Sequence, residues 1–370
     1  MNRLIVPDTI ARQPWQVLLP LFGLVILGAA VLYSAAGGHM QPYALSHLLR
    51  FGFFLVVAIV ISRLPRELFK LLAYPAYAAI LMLLVLVELL GAVGGGSQRW
   101  LNLGFMTLQP SELMKPCIVL VLARFYETLP ASVTASWRGL VGAGGLIAMP
   151  AGLVLLQPDL GTTLAICFGG AVMMFLAGLP LSWFVGAGIA GVIGAPIAFF
   201  TFLHDYQRNR VLTFLDPESD PLGTGYHITQ SKIAIGSGGL FGKGFGNGSQ
   251  SHLNYLPEAH TDFVFATMAE EWGMMGGLFV LLVFAILLRW GMKVARTSTD
   301  RFASLLAAGM TATIFFYVAI NLMMVMGLAP VVGIPLPFMS HGGSSMMTNM
   351  ICVGTILAVN RWQRRPRGLS

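Results

Sequence analysis

Charge is what this sequence has least of. Asp, Glu, Lys and Arg make up 10% of its 370 residues, 56% are hydrophobic, and the mean hydropathy is +0.77. A water-soluble globule carries about 25% charged residues, so that class is excluded and the chain reads as an integral membrane protein. Cysteine is almost missing as well. Cys117, Cys167 and Cys352 all lie in apolar stretches, which excludes a disulfide framework and says little about compartment. No histidine is spaced with another histidine or a cysteine as in a zinc site, and no Gly-x-Ser-x-Gly elbow is present. Neither a tandem repeat nor a low-complexity tract is evident. The first apolar run follows Arg3, Asp8 and Arg12 without a small-residue cleavage site, so it is expected to stay as a helix.

The net charge is +7. In a soluble protein this would suggest nucleic acid; here it suggests membrane topology, and nucleic acid is not an expected partner. One span needs about 20 apolar residues. About ten stretches qualify, near 16–35, 46–62, 68–91, 112–126, 138–156, 162–179, 182–203, 263–290, 303–327 and 343–361. The expected fold is one all-α polytopic membrane domain over 1–370. With both termini cytoplasmic, 15 of the 22 lysines and arginines fall on the cytoplasmic side, which is the usual bias. The Arg-rich C-terminus suits an anchor near anionic lipid. Runs such as Gly142-Ala143-Gly144-Gly145 suit close helix packing.

What is there, against that oily background, is the polar segment 204–262, a large loop between the seventh and eighth helices. It holds Asp205, Asp216, Glu218, Asp220, Glu258 and Asp262 out of 15 acidic residues. Long loops in compact proteins are usually functional or disordered. This one carries aromatics and apolar residues throughout, so it is expected to be ordered, extracytoplasmic and to hold the active site.

Ionisable groups within a bilayer cost about 2.5–3.5 kcal/mol or more each and mark function by default. Glu112 and Lys115 share a helix face three residues apart. Asp159 follows Gln157-Pro158, Glu270 and Glu271 lie two turns into the eighth span, and Glu88 ends the third. Together they suggest a polar cavity opening outward. The plainer alternative makes Glu112 and Lys115 a structural ion pair and Asp159 a helix cap. Asp216 to Pro221 opens like a calcium loop, but Pro221 and His227 stand where Gly and Glu are needed. Gly242-Lys243-Gly244 is not a phosphate-binding Walker loop. With Gly236 to Gly239 and Lys232 it is either an anion-approaching backbone or a turn-rich loop with solvated lysines.

Several ungapped stretches resemble the SEDS family (shape, elongation, division, sporulation). They are Gln98 to Leu101, Gln109 to Glu112, Gln157 to Thr162, His204 to Arg208, Asp216 to Tyr226, Gln230 to Gly236, Leu256 to Asp262, and Pro335 to Pro337 followed by Gly342-Gly343-Ser344. Asp216 to Pro221 and Ser231 to Ser237 resemble the elongation branch. Gly246-Asn247-Gly248 with Tyr255 to Ala259 is similar to the division branch. His341 stands where Tyr is usual. The resemblance implies polymerisation of lipid II into β-1,4 glycan strands at the outer face of the bacterial cytoplasmic membrane during elongation. It also implies a class B penicillin-binding transpeptidase and other elongation-machinery membrane proteins as partners, and Asp262 as the essential aspartate.

The donor sugar is α-linked to a pyrophosphate and the product bond is β, so one in-line displacement inverts the centre. Glycosidases need two carboxylates because an alkoxide must be protonated as it leaves. Pyrophosphate leaves as a stable anion, so one carboxylate base and cations suffice. Asp262 is then the base for the acceptor 4-hydroxyl. Its place at a helix start also suits an N-cap. Arg99, Lys115, Arg208, Arg210, Lys232 or a divalent cation, Mg2+ or Mn2+, would receive the pyrophosphate. Trp100 is expected at the interface, shaping the lipid II groove. Glu112, Asp159, His260 and Ser340 complete the expected substrate-binding set. Two other readings stay open. A transporter would move lipid II without lengthening it. A non-catalytic scaffold for a transpeptidase would tolerate neutralisation of its buried charges.

Overall fold

The computed structural model describes residues 13–90, 92–94, 97–102, 107–201, 208, 212–214, 216, 224–253, 255–256 and 258–364. In chain order these form α1 (Trp15–Ala35), α2 (Ala44–Arg63), α3 (Arg66–Leu90), β1 (Ala92–Gly94), β2 (Ser97–Asn102), β3 (Thr107–Leu108), α4 (Pro110–Thr128), α5 (Ala131–Thr134), α6 (Trp137–Leu156), α7 (Leu160–Ala177), α8 (Leu181–Thr201), α9 (Thr224–Ser237), α10 (Ser249–His252), α11 (Val264–Thr297), α12 (Arg301–Val325) and α13 (Gly343–Arg364). The helices α1, α2, α3, α6, α7, α11 and α12 are long and apolar enough to cross a membrane. Of the other long helices, α4 holds Glu112, Lys115, Arg124 and Glu127, while the first half of α13 is rich in Ser, Thr and Met. A multi-pass helical membrane protein therefore stands. The small antiparallel sheet β1-β2-β3 is an addition to the expected all-α fold. Its strands are too short to register in a search for long apolar runs.

The buried centre is α12, packed on α4, α7, α11 and α13, with α13 lying along α2. Outward residues stay apolar, such as Val192 and Phe200 of α8, as a lipid-facing surface requires. Breaks between helices have local causes. Leu64, held extended, ends α2, because the proline ring that follows disfavours helical backbone in the residue before it. The helix α3 then begins two residues on, at Arg66. Gly178, left-handed at φ 103°, closes α7.

The bundle sorts its polar groups to two ends. At one end Arg66 approaches Asp300 at 3.6 Å, Arg124 pairs with Glu127 at 2.6 Å, and Lys70 also pairs with Glu127. There Arg301 reaches the Leu129 and Ala177 carbonyls, and Arg361 the Arg63 and Leu64 carbonyls. The opposite end gathers the starts of α2, α4, α7, α11 and α13, and it carries Asp262.

The helix α11 is broken at Gly273, with φ 62° and ψ −159°. In an unbroken helix the Met274 and Met275 N–H groups would donate to the Glu270 and Glu271 carbonyls. Here Met274 donates to the Gly239 carbonyl at 2.9 Å and Met275 to that of Leu240 at 3.2 Å. The stranded Glu270 and Glu271 carbonyls accept from the Lys243 and Gly244 N–H groups, each at 3.0 Å. The glycine-rich loop is thus spliced into the helix break and satisfies all four groups, as buried backbone requires. These amides are committed to the helix and are not open to an anion. Lys243 is committed too, at 2.6 Å from Glu270, which also accepts from Ser249.

A side chain has no room in this splice. A methyl on Gly242, itself at φ 79°, would lie 2.1 Å from the Glu271 carbonyl oxygen. Gly242→Ala is expected to destabilise the protein by about 2 kcal/mol or more, read as a lowered thermal midpoint in detergent. An unchanged midpoint would show that the loop detaches freely from α11.

Candidate active site

Asp262 ends a compact turn just before α11. The Glu258 carbonyl accepts from the Thr261 and Phe263 N–H groups at 3.0 and 3.3 Å, with Glu258 itself at φ 53°. From α12, the buried amide of Asn321 donates to the Asp262 carbonyl and to the Ile334 carbonyl, both at 2.8 Å. This one side chain staples the turn to the segment before α13. The Asp262 carboxylate faces Gly333, where a methyl would sit 3.5 Å from Oδ2. Asp262 is half-buried, and so reachable from solvent.

Beside it, the His341 N–H donates to the His260 carbonyl at 2.9 Å. The His260 ring stacks on Tyr43 with centroids 4.1 Å apart. Arg50 Nη1 lies 3.2 Å from His341 Nε2. A guanidinium can only donate, so Nε2 carries the lone pair and Nδ1 the proton, facing Ser46 Oγ at 3.4 Å. Ser46 donates onward to the Pro42 carbonyl at 2.6 Å. The neutral imidazole fits its surroundings: the His341 pKa is pushed down to about 4, first by burial and next by the Arg50 charge. Burial also lowers that of His260, against the pull of Glu258.

Glu112 and Lys115 form a separate, closed group. Lys115 donates to Glu112 at 2.6 Å and to the Tyr317 hydroxyl at 2.7 Å, and that hydroxyl donates to Glu112. Thr348 donates to the Glu112 carboxylate at 3.2 Å. Lys115 is 1% exposed, so its ammonium meets these oxygens rather than solvent.

Arg99, Gln109 and Asp159 make a third group. Asp159 caps α7, accepting from the Thr162 N–H at 3.0 Å, and also accepts from Gln109 at 3.2 Å. Arg99 donates to the Gln157 and Pro158 carbonyls at 3.0 and 2.5 Å and lies 3.9 Å from Asp159. Trp100 is half-buried on β2. Arg208 donates to the Phe199 and Phe200 carbonyls in the last turn of α8 at 2.8 and 2.9 Å. Lys232 is exposed on α9, its chain end against Gly327. Ser340 is buried and accepts from the Leu336 N–H at 2.9 Å. Arg210 and most of 204–223 lie outside the described residues. The expected site residues thus fall into groups: His260, Asp262 and Ser340 come together, while Glu112–Lys115 and Arg99–Asp159 each form a pair of their own.

The family model described as cell cycle protein, covering FtsW, RodA and SpoVE, matches residues 13–365. The chain belongs to this family. It is similar to the peptidoglycan glycosyltransferase MrdB of Escherichia coli strain K12, with 42% identity over 95% of this chain and 94% of that one. Stage V sporulation protein E of Bacillus subtilis is 40% identical over 77% of each chain. A solved chain from work on the structural coordination of polymerization and crosslinking by a peptidoglycan synthase complex has a TM-score of 0.83 at 32% identity. The match covers 96% of this chain and 99% of that one. The crystal structure of Thermus thermophilus RodA has a TM-score of 0.72 at 29% identity, over 96% and 99%.

Among the described residues, no three His, Cys, Asp or Glu side chains gather as a metal site would. The fold also brings in polar residues outside the expected set. Asn321 and Tyr317 each stand in the apolar helix α12, and Arg50 lies within α2. A polar side chain in a membrane helix commonly bonds across to a neighbour, and that signal is present in the sequence for all three.

Proposed function

We propose that this protein is the peptidoglycan glycosyltransferase of cell elongation, joining lipid II units into β-1,4 strands at the outer face of the bacterial cytoplasmic membrane. The observation that carries the reading is Asp262: a half-buried carboxylate at the end of the bundle opposite the arginine-rich end, held through its own backbone by Asn321. The excess of Lys and Arg at the opposite end supports cytoplasmic termini and an outward Asp262. The lipid tail stays in the bilayer, so the reacting sugars must meet at this boundary.

In the proposed step Asp262 takes the proton of the acceptor 4-hydroxyl as that oxygen attacks the donor anomeric carbon. The bond to the pyrophosphate breaks, its electron pair leaves with the phosphate oxygen, and the centre inverts. The Asn321 link holds residue 262 by its main-chain carbonyl and so positions the carboxylate without engaging it. A divalent cation is proposed to enter with the pyrophosphate, as part of the substrate. A transpeptidase is the proposed partner, since polymerised strands must be crosslinked. That the structural relative comes from a synthase complex joining both activities supports this.

Purified protein supplied with lipid II is expected to yield glycan strands resolvable by gel electrophoresis. Labelled lipid II that crosses a vesicle membrane without lengthening would overturn the reading in favour of transport. EDTA is expected to slow polymerisation by about tenfold or more, with recovery on adding Mg2+ or Mn2+. An unchanged rate in EDTA would remove the cation from the proposal.

A further inference from the structure

If lipid II is the substrate, its pyrophosphate needs a receiving cation. Three of the expected ones are engaged elsewhere: Lys115 with Glu112 and Tyr317, Arg99 with the carbonyls before α7, and Arg208 with the end of α8. Arg50 is different. It lies about 9 Å along α2 from Ala44, half-buried, and a long side chain there can reach back toward the helix start. Among the described residues its one hydrogen bond is to a neutral acceptor, His341 Nε2, at 3.2 Å. No carboxylate among those residues pairs with it, and most of its five N–H donors remain available.

The surroundings favour an anion. The guanidinium lies against the first residue of α13, where a methyl on Gly343 would meet it at 3.6 to 3.7 Å. The N–H groups that open this helix have no intrahelical acceptor, and the helix start is electropositive. His47, one turn before Arg50 on the same face of α2, is buried and turned to the backbone of Phe338 and Ser340. His341 links this cluster directly to the Asp262 turn through the His260 carbonyl.

We infer that Arg50 and the opening N–H groups of α13 form a binding site for the phosphate-bearing group of a lipid, beside Asp262. The inference rests on the proposed activity for its assignment to the pyrophosphate of lipid II. The same chemistry could be met by an anionic phospholipid headgroup, and the test separates the two.

The test uses the full-length protein in nanodiscs of neutral phosphatidylcholine. Arg50 modification by phenylglyoxal is followed by peptide mass spectrometry, without addition, with undecaprenyl pyrophosphate, or with phosphatidylglycerol in the disc. Protection by undecaprenyl pyrophosphate assigns the site to the substrate. Protection by phosphatidylglycerol alone keeps the phosphate site but assigns it to the surrounding lipid. No protection by either overturns the inference. In parallel, Arg50→Gln is expected to raise KM for lipid II, and the inhibition constant of undecaprenyl pyrophosphate, by about tenfold or more. Arg50→Lys recovers part of the loss, and kcat changes less than KM. Both constants unchanged in a folded Arg50→Gln protein would also overturn it. The labelling arm is independent of turnover: a wild type that fails to polymerise lipid II while Arg50 is still protected defeats the proposed activity and not the site.

Discussion

Asp262→Asn is expected to lower the rate of lipid II polymerisation by the purified protein about 10²–10⁴-fold, the usual loss on removing a general base. The substitution keeps the size and shape of the side chain. The Asn321 bond to the residue 262 carbonyl survives, because it is made to the main chain. Membrane insertion, abundance and thermal midpoint should therefore match the wild type, and lipid II should still bind. The measurement is glycan product formed against time at saturating lipid II. A variant that inserts normally and polymerises at the wild-type rate would rule out Asp262 as the base.

Lys115→Met has the largest expected effect on stability. It leaves the Glu112 carboxylate, only 6% exposed, without its cation. Breaking a buried pair from one side costs about 3–5 kcal/mol, since the remaining charge is uncompensated. Combining it with Glu112→Gln removes that charge and leaves an amide oxygen to accept from Tyr317 and Thr348. The double variant should be more stable than Lys115→Met alone, a non-additivity expected for groups in contact. The measurement is the thermal midpoint of each purified variant in one detergent. Equal midpoints for wild type and Lys115→Met would mean that the pair does not hold α4 to α12.

The residues of the Asp262 turn show how far the chain could be read without its fold. Leu256 to Asp262 could be placed at the start of a helix because a polar segment meets an apolar run there, and α11 does begin at Val264. The glycine-rich stretch 236–244 could not be understood the same way. Glycines that approach an anion and glycines that form turns look alike in sequence. Here they enter the break at Gly273, and their partners are backbone groups of Glu270 and Glu271, distant along the chain. Asp159 is a similar case: an Asp after Gln157-Pro158 can be a cavity residue or a cap, and only the structure shows one oxygen capping α7 at 3.0 Å from the Thr162 N–H while the other faces Gln109.

Sequence alone determined the membrane class, the long helices and the two-sided distribution of charge. Those follow from local quantities: hydropathy summed over a span, and the side on which cations fall. Tertiary structure decided which polar groups share an environment. It joined Glu112 and Lys115 to Tyr317 and Thr348, set Arg50 against His341 beside the Asp262 turn, and left Arg99 with Asp159. Such pairings depend on how helices far apart in the chain are rotated and stacked. Hydropathy cannot encode that, because one polar residue per helix hardly changes the sum yet determines which face turns inward.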